Sequence, residues 1–311
     1  MTGRFAPSPT GALHVGNLRT AAVAWLSARS RGDRFLVRME DLDRHQSSRD
    51  HERSQLADLT TMGLDWDGEV ARQSDRFARY DAAIDQLAEQ GLVYECFCTR
   101  REIRDEIEGA AQAPHVPPGA YPGTCRGLTD REVQRRRAEG RRPAVRLRSD
   151  HRTVTFIDQL VGTVEGIVDD VVLRRNDGVP AYNLAVVVDD AAQGVTEVVR
   201  GDDLVSSTPR QIRLQQLLGL PRPRYLHVPL VVDATGARLA KRRGMAVTVA
   251  DLAARGVDHD TVRAWVLGSL GFGAADSVDD LLHRFDVERL ARTPIPAPAF
   301  VEAADPAAPP R

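Results

Sequence analysis

Apolar residues form two patterns along the chain, a helical spacing and short continuous runs, and each pattern predicts a different element. Leu18, Ala21, Ala22, Trp25 and Leu26 lie three or four positions apart or side by side, which is typical of a half-buried helix. Short apolar runs between such segments predict strands. Helices that alternate with apolar strands predict an α/β fold with a parallel sheet, in which ligands collect at the carboxyl ends of the strands.

The predicted elements cover most of the chain. Helices are expected at 18–29, 48–62, 75–90, 207–218 and within 246–272, and strands at 4–6, 35–41, 144–148, 153–157, 168–174, 195–199 and 226–232. Gly63 and Gly91 fit the ends of two helices, and Asn176-Asp177-Gly178 predicts a hairpin turn. The segment 180–190 fits either a helix or a buried strand, and the chain from Pro294 is expected to be extended.

Composition limits the classes of protein to which the chain can belong. Charged residues make up 28% of the 311 residues, yet the net charge is only −2, so an RNA-binding surface would have to be a local patch. No apolar run reaches the length of a membrane span, and the first residues lack the apolar core of a secretory signal. We therefore expect a cytoplasmic protein without membrane association. Three cysteines argue against a disulfide framework.

The segment from Arg4 to Asn17 predicts a strand, a tight loop and the start of a helix. Two prolines and Gly11 break the chain directly after the extended start. Such a loop directs backbone N–H groups and the positive end of a helix dipole at one point, which suits a phosphate group, and His14 adds a side-chain donor there. An ordinary α/β turn with a surface histidine would show the same local pattern.

The residues of this loop carry a family resemblance. The motif Pro7-Ser8-Pro9-Thr10-Gly11-x-Leu13-His14-Val15-Gly16-Asn17 resembles the first motif of the class I aminoacyl-tRNA synthetases, in the form used by the glutamate and glutamine enzymes. His14 and Asn17 stand at the positions of the two motif histidines. The resemblance implies that His14, Gly16 and Asn17 bind ATP together with Mg²⁺, and that His14 and Asn17 take part in catalysis.

A second motif of the same family matches near residue 240. Gly236-Ala237-Arg238-Leu239-Ala240-Lys241-Arg242 resembles the mobile lysine loop, with Arg238 and Ala240 in place of a lysine and a serine. Lys241 is also the one lysine among 42 basic residues, and chance could account for a single survivor in an arginine-rich chain. Because a compact ammonium differs chemically from a planar guanidinium, its place in the motif favours a role in ATP binding and catalysis.

Charged residues at the predicted strand ends suggest an amino-acid site. Arg4 and Arg200 could together hold a side-chain carboxylate, with the Tyr182 hydroxyl as a third donor; alternatively, Arg200 forms an internal salt bridge with Asp202 or Asp203. The resemblance implies that Glu40 meets the amino group of bound glutamate. Glu40, Asp41 and Asp43 form an acidic cluster, and a solvated turn is the simpler interpretation for part of it. The implied glutamate-binding set is Arg4, Phe5, Ala6, Pro7, Ser8, Glu40, Tyr182 and Arg200.

The three cysteines suggest a metal site in the middle of the chain. Cys96 and Cys98 share one face of an extended segment, and Cys125 supplies a third thiol. A tetrahedral zinc site needs a fourth ligand, and ligand chemistry favours His115 over Tyr121 because a phenol ionises only near pH 10. The pattern Cys-x-Cys followed by Tyr-x-x-x-Cys resembles the zinc knuckle of the glutamyl-queuosine tRNA(Asp) synthetase family, which implies Tyr121. Three buried thiols without metal are the alternative.

Residues 99–148 are polar and rich in arginine. Six arginines cluster there: Arg131, Arg135, Arg136, Arg137, Arg141 and Arg142. Such density suits contacts with RNA phosphates, but a solvated helix is equally compatible because acidic residues are interspersed.

The resemblance implies a class I synthetase fold: a Rossmann-type parallel sheet, a zinc-bearing α+β insertion and a small C-terminal helical part. The expected boundaries are 1–90 and 181–245 for the two halves of the catalytic domain, 91–180 for the insertion, 246–296 for the helical part and 297–311 for an extended tail. The chain stops where glutamyl-tRNA synthetases continue into an anticodon-binding region. We expect a monomer.

The implied activity is ATP-dependent activation of L-glutamate without tRNA, followed by transfer to queuosine in the anticodon of tRNA(Asp). Three alternatives stay open. The chain could be a truncated glutamyl-tRNA synthetase that charges tRNA(Glu), a non-catalytic RNA-binding module descended from a synthetase, or a nucleotidyltransferase of the same superfamily.

Overall fold

A computed structural model of the chain describes residues 1–109, 121–239 and 247–304. The strands are β1 (Thr2–Phe5), β2 (Arg34–Met39), β3 (Ala71–Arg72), β4 (Val93–Cys96), β5 (Ala144–Leu147), β6 (Thr153–Asp158), β7 (Gly162–Ile167), β8 (Val172–Arg174), β9 (Glu197–Gly201), β10 (Arg224–Val228), β11 (Val231–Val232) and β12 (Ile295–Pro296). The helices are α1 (Val15–Arg29), α2 (Arg49–Thr61), α3 (Phe77–Glu89), α4 (Arg100–Gly109), α5 (Asp130–Ala138), α6 (Tyr182–Ala192), α7 (Thr208–Leu218), α8 (Val249–Ala254), α9 (His259–Gly268) and α10 (Ala299–Ala304).

A parallel sheet forms the centre of the molecule, as the alternation of strands and helices predicts. Strand β2 pairs with both β1 and β3, and β10 pairs with both β9 and β6, all in parallel. The N–H of Thr196 donates to the carbonyl of Thr2 at 2.9 Å and places the two groups of strands side by side. The chain runs outward to β2 and β3 on one side of β1 and to β9 and β10 on the other. Such a reversal of strand order opens a crevice at the carboxyl ends of the strands.

A smaller antiparallel sheet carries the cysteine-bearing segment. Its strand order is β4-β5-β8, and helices α4 and α5 lie in the chain between β4 and β5. The predicted turn at Asn176-Asp177-Gly178 is present, since the N–H of Arg175 bonds to the carbonyl of Val179 and Gly178 has a φ of +85°. This sheet and helices α4 and α5 form an α+β insertion. Strands β6 and β7 also lie within the range 91–180 expected for the insertion, but they join the other sheet, because β6 pairs with β10 in parallel and with β7 in antiparallel.

Several predicted boundaries differ from the structure for local reasons. The strand expected at 168–174 is confined to Val172–Arg174. The side chains of Asp169 and Asp170, which precede it, form ion pairs with Arg210 and Arg126. The strand expected at 226–232 is split at Pro229, which has no N–H to donate to a sheet. The segment 180–190 is the helix α6. The tail expected to be extended contains helix α10.

Helix α1 packs against the sheet and is largely buried. Eleven of its fifteen residues are buried, among them Trp25 and Leu26, and they pack into a core shared with β1, β2 and the C-terminal helices. That packing fixes the start of the helix, His14 and the residues after it, at the carboxyl end of β1. No helix in the described ranges is long and apolar enough to cross a membrane.

Candidate active site and metal centre

One cavity lies at the carboxyl ends of β1, β2 and β9, and it brings the predicted ligand-binding residues together. Its volume is about 1010 Å³, at the upper end of the roughly 300–1,000 Å³ of small-molecule sites. The predicted residues that line it are Arg4, Phe5, Ala6, Pro7, Ser8, His14, Gly16, Asn17, Glu40, Tyr182 and Arg200. Lys241 and its neighbours from 240 to 246 lie outside the described residues, but Arg238 and Leu239 of the second motif line the cavity.

His14 caps helix α1 with its own ring. Its Nδ1 accepts hydrogen bonds from the N–H groups of Gly16 at 3.1 Å and Asn17 at 3.3 Å, and Asn17 Oδ1 accepts from the N–H of His14 at 3.2 Å. Nδ1 is therefore an unprotonated acceptor, and the ring proton is on Nε2. None of the hydrogen bonds among the described residues uses Nε2, which leaves that N–H for a ligand.

The electrostatics of His14 follow from its position. Burial, reinforced by the positive charge of Arg238, lowers the pKa of His14 to about 4. The ring is consequently neutral at pH 7, so His14 offers a phosphate group a hydrogen bond rather than a positive charge. Arg238 supplies a positive charge at the same cavity.

The cap changes one expectation about the first motif. The N–H groups of Gly16 and Asn17, which the loop was predicted to direct at a phosphate, are occupied by His14. Gly16 makes room for the imidazole ring: a Cβ atom there would lie 3.0 Å from both Cε1 and Nδ1 of His14. The absence of a side chain at Gly16 therefore allows the His14 ring to cap the helix.

Arg200 is buried and held by side chains. Its Nε donates to Nε2 of His227 at 3.0 Å, Nη2 donates to Thr208 Oγ1 at 2.8 Å, and Nη1 lies 3.5 Å from the Tyr182 hydroxyl. The alternative of a salt bridge to Asp202 or Asp203 is not found among the described contacts of Arg200; Asp203 pairs with Arg238 instead. A guanidinium without a carboxylate partner at a cavity suits an anionic ligand.

Arg4 and Glu40 belong to a buried ionic network beside that cavity. Arg4 bonds to Asp190 Oδ1 through Nε at 3.3 Å and to the carbonyl of Val199 through Nη1 at 3.1 Å. Arg38 is fully buried and bridges Asp190 at 2.7 Å and Glu40 at 3.2 Å. Arg4 therefore shares its charge with Asp190, while Arg200 faces the cavity without an anionic partner among the described residues.

Glu40 has an electrostatic environment suited to a cation. Burial raises the pKa of Glu40 despite the opposing effects of Arg38 and Arg4, and Asp190 raises it further. An ammonium group in the cavity would favour the ionised carboxylate.

Four residues that support the site were missed from the sequence: Arg38, Asp190, Asp158 and His227. Each is a charged or polar residue within or at the end of an apolar run, and each is less than 5% exposed. Buried ionisable residues have to be paired, so their placement in or at the end of apolar runs was the available signal. The pairing partners could not be read from the sequence, because Asp158 and His227 are 69 residues apart.

The thiols of Cys96, Cys98 and Cys125 lie within 4.8 Å of one another, so the predicted cluster forms. Cys98 Sγ is 3.5 Å from Cys125 Sγ, too far for a disulfide and close to the roughly 3.8 Å separation of two thiolates bound tetrahedrally at 2.3 Å to zinc. The Tyr121 hydroxyl is 3.3 Å from Cys96 Sγ and 3.4 Å from Cys98 Sγ. These four donors fit one tetrahedral metal ion. His115 lies outside the described residues.

The surroundings of Tyr121 suit a bound phenolate. The guanidinium of Arg146 lies 3.8 Å from the centre of the Tyr121 ring, and the N–H of Cys125 donates to the Tyr121 hydroxyl at 2.9 Å. Burial raises the pKa of the Tyr121 phenol, so a metal ion has to supply the charge that makes it a ligand.

The arginine cluster in and just after helix α5 is partly neutralised within the protein. Arg137 pairs with Glu95, Arg141 with Glu102 and Arg135 with Glu139. No side chain of α5 is buried. The surface is exposed, and three of its six clustered arginines form these ion pairs.

The fold and the site define a class of protein. Residues 1–287 match the family model of tRNA synthetases class I (E and Q), catalytic domain. The chain belongs to this family of ligases. In three dimensions it is similar to a glutamate tRNA ligase from Elizabethkingia meningosepticum, solved in complex with its amino acid, with a TM-score of 0.76 over 98% of this chain and 68% of that one. Their identity is 24%, so this likeness supports the fold alone.

The relatives in sequence carry a more specific name. A protein of Nocardia farcinica named glutamyl-Q tRNA(Asp) synthetase is 58% identical over 292 residues, which cover 94% of this chain and 91% of that protein. A protein of Cutibacterium acnes with the same name is 49% identical over 308 residues, which cover 98% of this chain and 84% of that protein.

Proposed function

We propose that the chain activates L-glutamate with ATP, in the absence of tRNA, and transfers the glutamyl group to queuosine in the anticodon of tRNA(Asp). The observation that carries the proposal is that the eleven predicted ligand-binding residues in the described ranges line one cavity. The names of the sequence relatives support the choice of acceptor. We place the activity in the cytoplasm, where ATP, glutamate and tRNA occur together, and we propose that the chain acts as a monomer.

The first step is a displacement at phosphorus. An oxygen of the glutamate α-carboxylate attacks the α-phosphorus of ATP, the bond to the bridging oxygen of the β-phosphate breaks, and pyrophosphate leaves. Catalysis of such a step is mainly positioning and stabilisation of negative charge. His14 Nε2 and Lys241 are the proposed donors to the phosphates, with Asn17 fixing the turn that holds His14. Mg²⁺ binds with ATP and needs no dedicated protein cage.

Glutamate is oriented by groups of opposite charge at the two ends of its site. Arg200 and Arg4 receive its side-chain carboxylate with the Tyr182 hydroxyl, and the Glu40 carboxylate receives its ammonium group. These four residues line the same cavity as His14 and Asn17. In the second step a hydroxyl oxygen of the queuosine cyclopentenediol attacks the activated carbonyl carbon, AMP leaves, and the hydroxyl proton is released.

The metal centre has a structural role in this proposal. Zn²⁺ held by Cys96, Cys98, Cys125 and Tyr121 would link β4 to the segment before α5. That link holds together the insertion, which is proposed to contact RNA.

Activation is tested by exchange of labelled pyrophosphate into ATP. We expect exchange with L-glutamate and without tRNA, and much less with L-glutamine or L-aspartate. Absence of glutamate-dependent exchange, in the presence of intact glutamate and ATP binding, would favour a non-catalytic module.

The acceptor is tested by the position of labelled glutamate in RNA. Two preparations of tRNA(Asp), one with and one without queuosine, are incubated with the protein and then cut into anticodon and 3′-terminal fragments. We expect label only in the anticodon fragment of the queuosine-bearing tRNA. Label on the terminal adenosine of tRNA(Glu) would identify a truncated glutamyl-tRNA synthetase instead. Fragment position is the better readout, because periodate destroys the queuosine diol as well as the terminal ribose diol.

A further inference from the structure

A chain of buried side chains runs from β6 through β10 to Arg200. Asp158 Oδ2 lies 2.7 Å from His227 Nδ1, and His227 Nε2 lies 3.0 Å from Nε of Arg200. His227 is fully buried, and Asp158 and Arg200 are 2% and 6% exposed. Neither Asp158 nor His227 lines the cavity, so they reach a ligand only through Arg200.

The carboxylate of Asp158 fixes which nitrogen of His227 carries the proton. Asp158 accepts hydrogen bonds from the backbone N–H groups of Leu160, Val161 and His227, so its orientation is set by β6 and β10. The fourth group it faces, Nδ1 of His227, therefore donates. Burial lowers the pKa of His227 despite the attraction of Asp158, so the ring is neutral and its Nε2 is an acceptor.

The acceptor on Nε2 orients the guanidinium plane of Arg200. With Nε bound to His227 and Nη2 bound to Thr208, two of the three nitrogens of the fork are fixed within the protein. Thr208 is itself held, because its hydroxyl donates to the carbonyl of Leu204 at 3.1 Å. Nη1 is the remaining nitrogen, and its one partner among the described residues is the Tyr182 hydroxyl at 3.5 Å. Arg200 and Tyr182 both line the cavity.

We infer that His227 and Asp158 are positioning residues that make the site selective for a ligand with a side-chain carboxylate. By holding Nε of Arg200, while Thr208 holds Nη2, they present Nη1 with the Tyr182 hydroxyl as a fixed pair of donors. A carboxylate satisfies both donors, whereas the NH₂ group of glutamine confronts one of them with another donor. A mobile Arg200 could turn to accommodate the amide, so rigidity is what creates the discrimination. This inference rests on the proposed glutamate site.

A matched pair of substitutions separates positioning from packing. His227→Asn keeps a donor near the position of Nδ1 for Asp158 but has no atom near the position of Nε2. His227→Gln places a carbonyl oxygen near Nε2, where it can accept from Arg200. Both variants lose the stacking of His227 on Tyr225, whose rings are 6.1 Å apart and 11° from parallel. The loss of this aromatic contact is therefore common to the two variants, and ATP binding reports any general effect of packing on the cavity.

Asp158→Asn tests the tautomer without changing shape. The amide can donate to Nδ1, which moves the ring proton to Nε2 and turns the acceptor for Arg200 into a donor. The tautomer is read from ¹⁵N chemical shifts of the His227 ring, independently of any activity.

The measurements are dissociation constants of glutamate, glutamine and ATP, together with glutamate-dependent pyrophosphate exchange. We expect His227→Asn and Asp158→Asn to weaken glutamate binding about 10- to 100-fold and to reduce the preference for glutamate over glutamine by a similar factor, with ATP binding unchanged. His227→Gln is expected to recover most of the preference. Unchanged preference in His227→Asn, equal losses of glutamate and ATP binding, or equal effects of the Asn and Gln variants would overturn the inference.

Failure of the proposed function has a different signature. A wild-type protein that prefers glutamate in binding but shows no exchange would contradict the proposed activation, while the variants would still decide the role of His227. A wild-type protein with no preference for glutamate would overturn both.

Discussion

Arg238 forms an ion pair with Asp203, with Nη1 and Oδ2 2.9 Å apart. The pair connects the start of the second motif to the residues that follow β9, and both side chains line the cavity. Arg238 stands where the family motif has its first lysine. The structure thus keeps a cation at that position and holds it within the site.

We expect Arg238→Ala to raise the KM for ATP about tenfold and to leave the KM for glutamate unchanged, because it removes a cation from the phosphate side of the cavity. The thermal midpoint should change little, since half-exposed ion pairs contribute about 0–1 kcal/mol. Pyrophosphate exchange at varied ATP and glutamate measures both constants. Arg238→Lys, which restores the motif, is the control and should behave almost as wild type. Equal increases in both constants would contradict a specific role toward ATP.

Glu40 should make glutamate binding depend on pH. Its pKa is raised by burial, and only the ionised form can pair with the ammonium group of the amino acid. Glutamate affinity is therefore expected to be full above that pKa and to fall as the pH is lowered through it. Glu40→Gln should weaken binding about 10- to 100-fold near neutral pH and flatten the acid side of the profile. A wild-type profile retained by the variant would assign the titration to another group.

The sequence identified the residues of the site better than the contacts that hold these residues in place. The first motif fixed His14, Gly16 and Asn17, since contiguous residues reach one cavity by local geometry. It did not predict that the His14 ring caps α1, because histidine is not among the usual capping residues, and the predicted helix accordingly began three residues late.

Hydrophobic periodicity could not predict which residues distant in the sequence lie in contact. Asp158 meets His227 only because β6 and β10 are neighbours in register, with Tyr225 opposite Asp158.

Strand β7 was missed because two of its six residues are glycines. Gly166 is explained by its neighbour, since a Cβ there would lie 2.6 Å from Cγ of Pro209 at the start of α7. Such close approach depends on packing between elements distant in sequence.

Lys241 is predicted to be required as an ammonium at one position. The residue lies outside the described ranges, so the expectation rests on the motif and on its being the single lysine. Lys241→Arg should slow adenylate formation by about 10²- to 10³-fold with ATP binding largely kept, because a planar guanidinium cannot replace a compact charge in the transition state. The double change Lys241→Arg with Arg242→Lys preserves composition and moves the ammonium by one residue. Single-turnover adenylate formation measures both, and near-normal rates in either would show that the position carries no catalytic role.

The metal centre is expected to hold one zinc ion per chain and to use the Tyr121 oxygen. Tyr121→Phe removes one of four donors that lie 3.3–3.5 Å from their neighbours, so zinc affinity should fall at least about tenfold. Tyr94→Phe is the matched control: it removes another buried hydroxyl of the same cluster, one that donates to Asp170 at 2.6 Å, and zinc should stay stoichiometric. Elemental analysis and competition with a chromophoric chelator measure the two outcomes.

Acid should release the metal, since the thiols bind as thiolates and protons compete with zinc for them. Wild-type zinc affinity in Tyr121→Phe would mean that a different residue supplies the fourth ligand. His115 would then be the first candidate, and loss of zinc from His115→Ala but not from Tyr121→Phe would assign it. Loss from Tyr121→Phe alone would settle the choice that ligand chemistry and family resemblance leave in conflict, and it would show that the Arg146 guanidinium, 3.8 Å from the ring centre, lies against a metal-bound phenolate.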